Sequence, residues 1–414
     1  MANVSDQLSG LLPPRHLTLL RRASKYAEPR DVPLYLVGGA VRDVLLGATP
    51  TNLDLVVVQP PRGFENDLAQ ALEGSVVARS EFLTYRLVSD LLADGEEVDL
   101  ATARRETYAG AGALPVVQPS NLDDDLKRRD FTVNAMAISL RPGDWGELID
   151  DTGGLEDLER RVLRVMHDRC FVDDSTRVLR AIRYSVRLRF RLETGTDELM
   201  RRDMAHLDDI SPDRVRNEMD RILKEPQAPA VLAAAHQAGV LAAVHPALRY
   251  PPVQRLETPA GAASEDVVLA TLLYRSDADG LAGIGARVNA DARWTRALKE
   301  VAAIRSMETR LAVDLRRSEL YRLLRGFSPS FLAGCSVATA SLEAARSLDL
   351  YLDELRDAST ALTGSDLLAL GVAQGPLIGK LLDGLLDARL EGLVSSKDEE
   401  EAFVNRSLVQ SKPS

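Results

Sequence analysis

Strand-like alternation of apolar and polar residues runs through the first part of this chain and stops near Asp150, beyond which Ala, Leu and Arg recur at helical spacing. No other feature constrains the fold as tightly, because a chain patterned this way builds a sheet first and then packs only helices. Leu34-Tyr35-Leu36-Val37 is a β-prone run ending at Gly38-Gly39, and residues 40–46 read as a helix stopped by Gly47. Residues 53–58, 82–87 and 97–101 read as further strands, and 131–140 as another strand or the approach to one. Past 150, Asp173-Asp174-Ser175-Thr176 caps a helix over 177–188. Ser211-Pro212-Asp213 starts a second, with Ser as N-cap and Pro at the first helical position. Segments 224–229 and 250–264 read as linkers, and the Glu/Lys-rich stretch after Ser395 as a solvated helix end and a frayed terminus. The expected class is α+β: a small mixed-sheet head over 1–145, then an all-helical neck (146–225), body (226–310) and tail (311–414).

Two cysteines, Cys170 and Cys335, are too few for a disulfide scaffold or a zinc site, so a reducing cytoplasm is the expected setting. No apolar run reaches the length of a membrane helix before Arg or Asp interrupts it, and no membrane partner is expected. The net charge of −11 argues against a nucleic-acid partner, yet the average hides a local exception. From Arg160 to Arg191 ten arginines face only Asp168, Asp173 and Asp174, a basic stripe inside an acidic protein.

Three segments form one chemical constellation. Gly38 and Gly39 before a helix let phosphates approach the backbone and meet the N–H groups of its first turn. Arg42, one turn further on, is placed to reach a triphosphate. Asn52-Leu53-Asp54 and Val98-Asp99-Leu100 put polar groups at alternate positions of two strands, where one face can hold two divalent metal ions.

Those residues, and longer runs beyond them, resemble a known family. Tyr35-Leu36-Val37-Gly38-Gly39-Ala40-Val41-Arg42-Asp43 resembles the first signature of bacterial class II tRNA nucleotidyltransferases and the related poly(A) polymerases, of the polymerase-β-like superfamily. Arg128-Arg129-Asp130-Phe131-Thr132-Val133-Asn134-Ala135-Met136 is similar to the second, and Asp151-Thr152-Gly153-Gly154-Leu155-Glu156-Asp157-Leu158 to the third. Asp173-Asp174-Ser175-Thr176-Arg177 with Arg180 and Arg183 resembles the fourth, and 211–223 with Arg214, Arg216 and Glu218 the fifth. Residues 362–367 and 375–380 resemble the family's tRNA-contacting end.

The resemblance implies template-independent addition of C and/or A to a tRNA 3′ end from CTP and/or ATP, with Mg²⁺ or Mn²⁺ held by Asn52, Asp54 and Asp99. It implies nucleotide binding by Gly38, Gly39, Arg42, Arg128, Arg129, Asp130, Asn134, Asp174, Arg177, Arg180 and Arg183. Asp174 and Arg177 would meet the Watson–Crick edge of the incoming base, an acceptor and a donor in place of a template. Asn134 could serve the ribose or the local turn, and Asp43 a catalytic loop or the helix. The loop between the first and second signatures, roughly 102–125, bears on whether CC alone or CCA is added.

One position departs from the pattern. The family carries Asp-x-Asp where this chain has Asn52-Leu53-Asp54, and an amide brings no charge to a hard cation. Weak metal binding, a variant in which Asp99 takes over, and an inactive scaffold that still binds tRNA all remain open. A poly(A) polymerase shares the motifs, and a transferase acting on an antibiotic or protein shares only the Gly-Gly and Asp pattern. His167-Asp168 has no second cluster of histidines and carboxylates after it, so no phosphohydrolase activity is expected.

Overall fold

The computed structural model describes residues 2–251 and 263–410. It divides into two compact units, Met1–Glu218 and Met219–Ser414.

Among its described residues the first unit has eleven strands: β1 (Leu34–Val37), β2 (Leu53–Val57), β3 (Gly74–Ser80), β4 (Thr84–Ser89), β5 (Val98–Thr102), β6 (Arg104–Thr107), β7 (Val116–Pro119), β8 (Ala137–Ser139), β9 (Leu148–Ile149), β10 (Val162–Leu163) and β11 (Arg191–Leu192). The last two pair in parallel, so the stretch 146–225 is not all-helical as expected. Seven make one mixed sheet in the order β3-β4-β5-β2-β1-β8-β9, and β6 and β7 pair as a separate hairpin. The β2–β5 pair is parallel and its neighbours antiparallel. Leu53, Leu55, Val98 and Leu100 are buried on one face, each contributing about 2 kcal/mol. A one-residue slip would send Asp54 and Asp99 into that core instead, so burial fixes the register that sets the two carboxylates side by side.

Segment 131–140 is not one strand. Phe131, Thr132, Val133, Asn134 and Ala135 are all buried, and Thr132–Asn134 turns as a 3₁₀ helix before β8 begins at Ala137. Burial on every side removes the alternation that distinguishes a strand from a turn. The basic helix is Thr176–Leu188 with Ser175 at its N-cap, and Asp174, one residue earlier, accepts at Oδ1 from the Thr176 N–H at 3.0 Å and hydroxyl at 2.6 Å.

The second unit contains only helices among its described residues. Trp294 is fully buried and donates to Asp220 Oδ1 at 2.9 Å. Residues 224–227 separate the Pro212–Leu223 and Ala228–Gln237 helices, a shorter linker than 224–229. Of the expected linker 250–264, residues 252–262 lie outside the described residues. The stretch after Ser395 forms the Lys397–Gln410 helix and is not simply solvated. Its Glu400 is fully buried, accepting from the Ala361 and Leu362 N–H groups and from Arg389 at 2.8–3.0 Å. Val404 joins a core with Leu362, Leu367, Leu381 and Leu385. Glu400 sits among charged neighbours in sequence, which hid its partners.

Candidate active site

Asp54 on β2 and Asp99 on β5 are direct partners in the parallel ladder, on the face opposite the buried leucines. Adjacent strands lie about 4.8 Å apart, so the carboxylates can share one cation or two close ones. Asp54 is half-buried, and burial pushes its carboxyl up, opposed by Arg129 and reinforced by Asp99. Asp99 is half exposed and accepts from Arg86 Nε at 3.3 Å. Asn52 lies exposed two positions before Asp54, just outside β2.

Gly38 holds the space in front of these groups open. Its φ of 71° and ψ of −134° suit glycine, and a Cβ there would stand 2.8 Å from Arg129 Nη1 and 3.7 Å from Asp54 Oδ2. A side chain would thus fill the cradle between the carboxylate and the guanidinium. The Gly38 N–H is not a free donor, since Met136 O accepts it at 3.3 Å. The first-turn donors of the Gly39–Leu45 helix are those of Gly39, Ala40 and Val41.

Arg129 is aimed across this cradle by Asp125, a fully buried carboxylate that accepts from Arg129 Nη2 at 2.9 Å and from Arg128 Nε and Nη2 at 3.0 and 2.6 Å. Burial would raise the Asp125 carboxyl, but Arg129 and Arg128 overcome it and hold it low. Arg128 also donates to Glu106 at 3.0 Å, and the Tyr108 hydroxyl donates to the same carboxylate at 2.7 Å. Arg128 therefore braces the β6–β7 hairpin.

Arg42, Asn134, Asp130 and Arg180 form one chain of bonds. Arg42 donates from Nε and Nη2 to Asp43 Oδ1 at 2.9 and 2.7 Å, and from Nη1 to Asn134 Oδ1 at 2.7 Å. Asn134 Nδ2 donates to Asp130 Oδ1 at 3.0 Å, and Arg180 donates to Asp130 Oδ2 at 2.9 and 2.5 Å. Arg183 approaches Glu218 at 3.7 Å. Burial would raise the Asp130 carboxyl, but Arg180, Asn134 and Arg177 hold it at about 2.

A carboxylate depressed in the folded state stabilises above its unfolded pKa and loses that contribution as pH falls through the folded value. For Asp130 the window is from 3.8 to about 2, and the contribution is about 2 kcal/mol. Asp130→Asn is expected to lower the melting temperature at pH 7 and to flatten its decline between pH 4 and 2. An unchanged acid limb would remove Asp130 from that role.

The basic helix is not a solvated face. Arg177 and Arg183 are buried. Arg177 donates from Nη2 to Arg128 O at 2.7 Å and from Nη1 to Cys170 Sγ at 3.1 Å. Asp174 Oδ1 accepts from Arg214 Nη2 at 2.6 Å, and Arg214 Nη1 reaches the Gly112 carbonyl, in the β6–β7 loop, at 3.4 Å.

Sequence reasoning singled out neither Asp125, Glu106 nor Tyr184. Asp125 precedes Arg128 and Arg129 by three and four residues, the spacing of helical ion pairs, so its role was open to a search for such pairs. Glu106 and Tyr184 carried no comparable local signal.

The Poly A polymerase head domain model matches residues 34–164, and a second model, the probable RNA and SrmB-binding site of polymerase A, matches 189–250. The CC-adding tRNA nucleotidyltransferase of Deinococcus radiodurans is 36% identical over 95% of this chain and 94% of its own length. The chain belongs to the tRNA nucleotidyltransferase family. The A-adding tRNA nucleotidyltransferase of Geobacter sulfurreducens is 34% identical over 94% of this chain, which spans only 47% of that protein. Among solved structures of the family, the Thermotoga maritima CCA-adding enzyme complexed with tRNA superposes with a TM-score of 0.78 at 28% identity, covering 98% of this chain and 99% of that one. A CCA-adding enzyme complexed with ATP gives 0.77 at 28% identity over 100% and 98%. Both the mixed-sheet head and the helical remainder of this nucleotidyltransferase follow that fold. Among its described residues, no helix is long and apolar enough to cross a membrane.

Proposed function

We propose that this chain adds C and/or A to the 3′ end of tRNA, using CTP and/or ATP and no template. The observation that carries this reading is the in-register Asp54 and Asp99 pair, with Asp54 facing the Gly38 cradle. Asp54, Asp99 and Asn52 are oxygen donors of the kind Mg²⁺ or Mn²⁺ takes, and the cradle is kept clear in front of them, so these residues fit a divalent ion. When bound, such ions activate the attacking 3′-hydroxyl and neutralise the leaving pyrophosphate. The 3′-hydroxyl gives its proton to water as its oxygen bonds to the α-phosphorus, and the bond from that phosphorus to the bridging oxygen breaks to release pyrophosphate.

The chain's own residues position the reactants. Arg129, held by Asp125, presents Nη1 beside the carboxylates where a triphosphate would sit. The Gly39–Leu45 helix offers its first-turn N–H groups to the same phosphates. Asp174 and Arg177 supply the acceptor and donor for a base edge, and Arg177 must exchange its Arg128 carbonyl bond to do so. Arg42, Arg180 and Arg183 receive the nucleotide, and Arg128, Asp130 and Asn134 brace its site through the bonds described above. The helical residues grip tRNA by shape and phosphate contacts, within a division into head, neck, body and tail. A cytoplasmic location suits this substrate.

Arg177→Lys keeps the charge but removes the planar fork. It is expected to cut the preference for the correct nucleotide about tenfold or more while tRNA affinity holds. Competition between CTP and ATP, read beside tRNA binding, checks this; equal loss of both would end the templating role.

A second reading rests on Asn52. A scaffold short of one charged ligand could bind tRNA without extending it. Incubating tRNA that lacks its last three nucleotides with Mg²⁺ and CTP, ATP or both separates the readings. Extension by two with CTP and no further when ATP is also present makes it CC-adding, and extension by three with both makes it CCA-adding. Extension by one with ATP of a second tRNA ending in CC, with none of the first, makes it A-adding. A long ladder with ATP alone makes it a poly(A) polymerase. No extension with tRNA bound favours the silent scaffold.

A further inference from the structure

The ring of Tyr184 lies among three guanidiniums: Arg183 at 4.7 Å from its centroid, and Arg42 and Arg180 each at 5.4 Å. Phe131 meets the ring edge-on, centroids 6.0 Å apart at 88°. Arg42 comes from the Gly39–Leu45 helix beside the cradle, while Arg180 and Arg183 come from the Thr176–Leu188 helix. Carboxylates meet each guanidinium: Asp43 meets Arg42, Asp130 meets Arg180, and Glu218 approaches both Arg180 and Arg183.

Three cations converging on one part-buried point repel one another, and partial burial strengthens that repulsion. The carboxylates offset the charge, and Asn134, Asp130 and Glu218 tie the three groups to one another at their rims. The ring is a further contact that all three share. An aromatic ring within about 6 Å attracts each cation through its quadrupole and separates them by its bulk. The hydroxyl adds little, since Arg180 Nη2 reaches it only at 3.5 Å, the limit of a hydrogen bond.

We propose that Tyr184 is a positioning residue whose ring holds Arg42, Arg180 and Arg183 in the array that receives the incoming nucleoside triphosphate. This rests on the functional reading above for the nucleotide and on the geometry alone for the arginines. Two consequences follow from a ring that acts and a hydroxyl that does not. Phenylalanine replaces tyrosine, whereas an aliphatic side chain of similar size does not. Since the array serves the part common to both triphosphates, CTP and ATP suffer alike.

The test uses full-length Tyr184→Phe and Tyr184→Leu, with Tyr184→Met as a second aliphatic variant should the leucine protein fail to fold. Equilibrium dialysis with labelled CTP and ATP in Mg²⁺ gives nucleotide affinity, filter binding gives tRNA affinity, and a crystal structure of the aliphatic variant gives the arginine positions. The expected result is an affinity within about twofold of the parent for the phenylalanine variant. The aliphatic variant is expected to lose about tenfold for CTP and ATP equally, with tRNA affinity unchanged and the guanidiniums displaced. An aliphatic variant that keeps its nucleotide affinity, or a phenylalanine variant that loses as much, overturns the proposal. If the parent protein binds neither nucleotide, the functional reading fails instead, and the crystal structure still judges the ring: guanidiniums that stay in place without it overturn its positioning role.

Discussion

Asp54→Ala is expected to lower kcat/KM for nucleotide addition by about three orders of magnitude or more, the loss of several kcal/mol of charge stabilisation, while tRNA affinity holds. Asp54 is the half-buried member of the Asp54 and Asp99 pair and the carboxylate that faces the Gly38 cradle. Its burial is uphill, offset in part by Arg129, so the fold keeps a carboxylate there at a cost. Removing it relieves that cost, and the variant should be no less stable than the parent. Extension rates beside thermal melts check both halves. A folded Asp54→Ala protein that still extends tRNA at a tenth of the parent rate would take Asp54 out of the chemistry.

Asn52→Asp is expected to act in the opposite direction. The exposed Asn52 stands two residues before Asp54, and a carboxylate there adds the charged oxygen that a hard cation favours. At low Mg²⁺ the gain in addition rate is expected to be about a hundredfold or more. A third carboxylate beside Asp54 and Asp99 also adds like-charge repulsion, so this variant should melt lower than the parent in chelator and recover on adding Mg²⁺. The melting shift reads the metal site without any turnover. If neither rate nor melting responds, Asn52 is not at the metal site.

Much of this was legible in the chain because local signals and tertiary roles agreed. Leu34–Val37, the Gly-Gly turn and the helix after it have both the propensity and the punctuation of their structures. The alternation around Asp54 and Asp99 announced two polar positions on one face, though pairing them in register required the sheet. Segment 131–140 holds both the strand, over Ala137–Ser139, and the approach to it, and burial along the whole segment left the sequence without a signal for where one ends and the other begins. The basic stripe was visible, but its burial was not, since the carboxylates of Asp130 and Glu218 reach it from distant sequence. Tyr184 had no local signal because its role lies in what surrounds it. Glu400 was hidden in a charged run whose other members stay in solvent.

The most direct measurement counts pyrophosphate released against nucleotides added to the 3′ end of labelled tRNA, in Mg²⁺ and in EDTA, with no template present. The expected result is one pyrophosphate per nucleotide added in Mg²⁺ and neither product in EDTA, with tRNA bound in both. Tight tRNA binding with no extension and no pyrophosphate in either Mg²⁺ or Mn²⁺ would contradict a nucleotidyltransferase and leave a tRNA-binding scaffold.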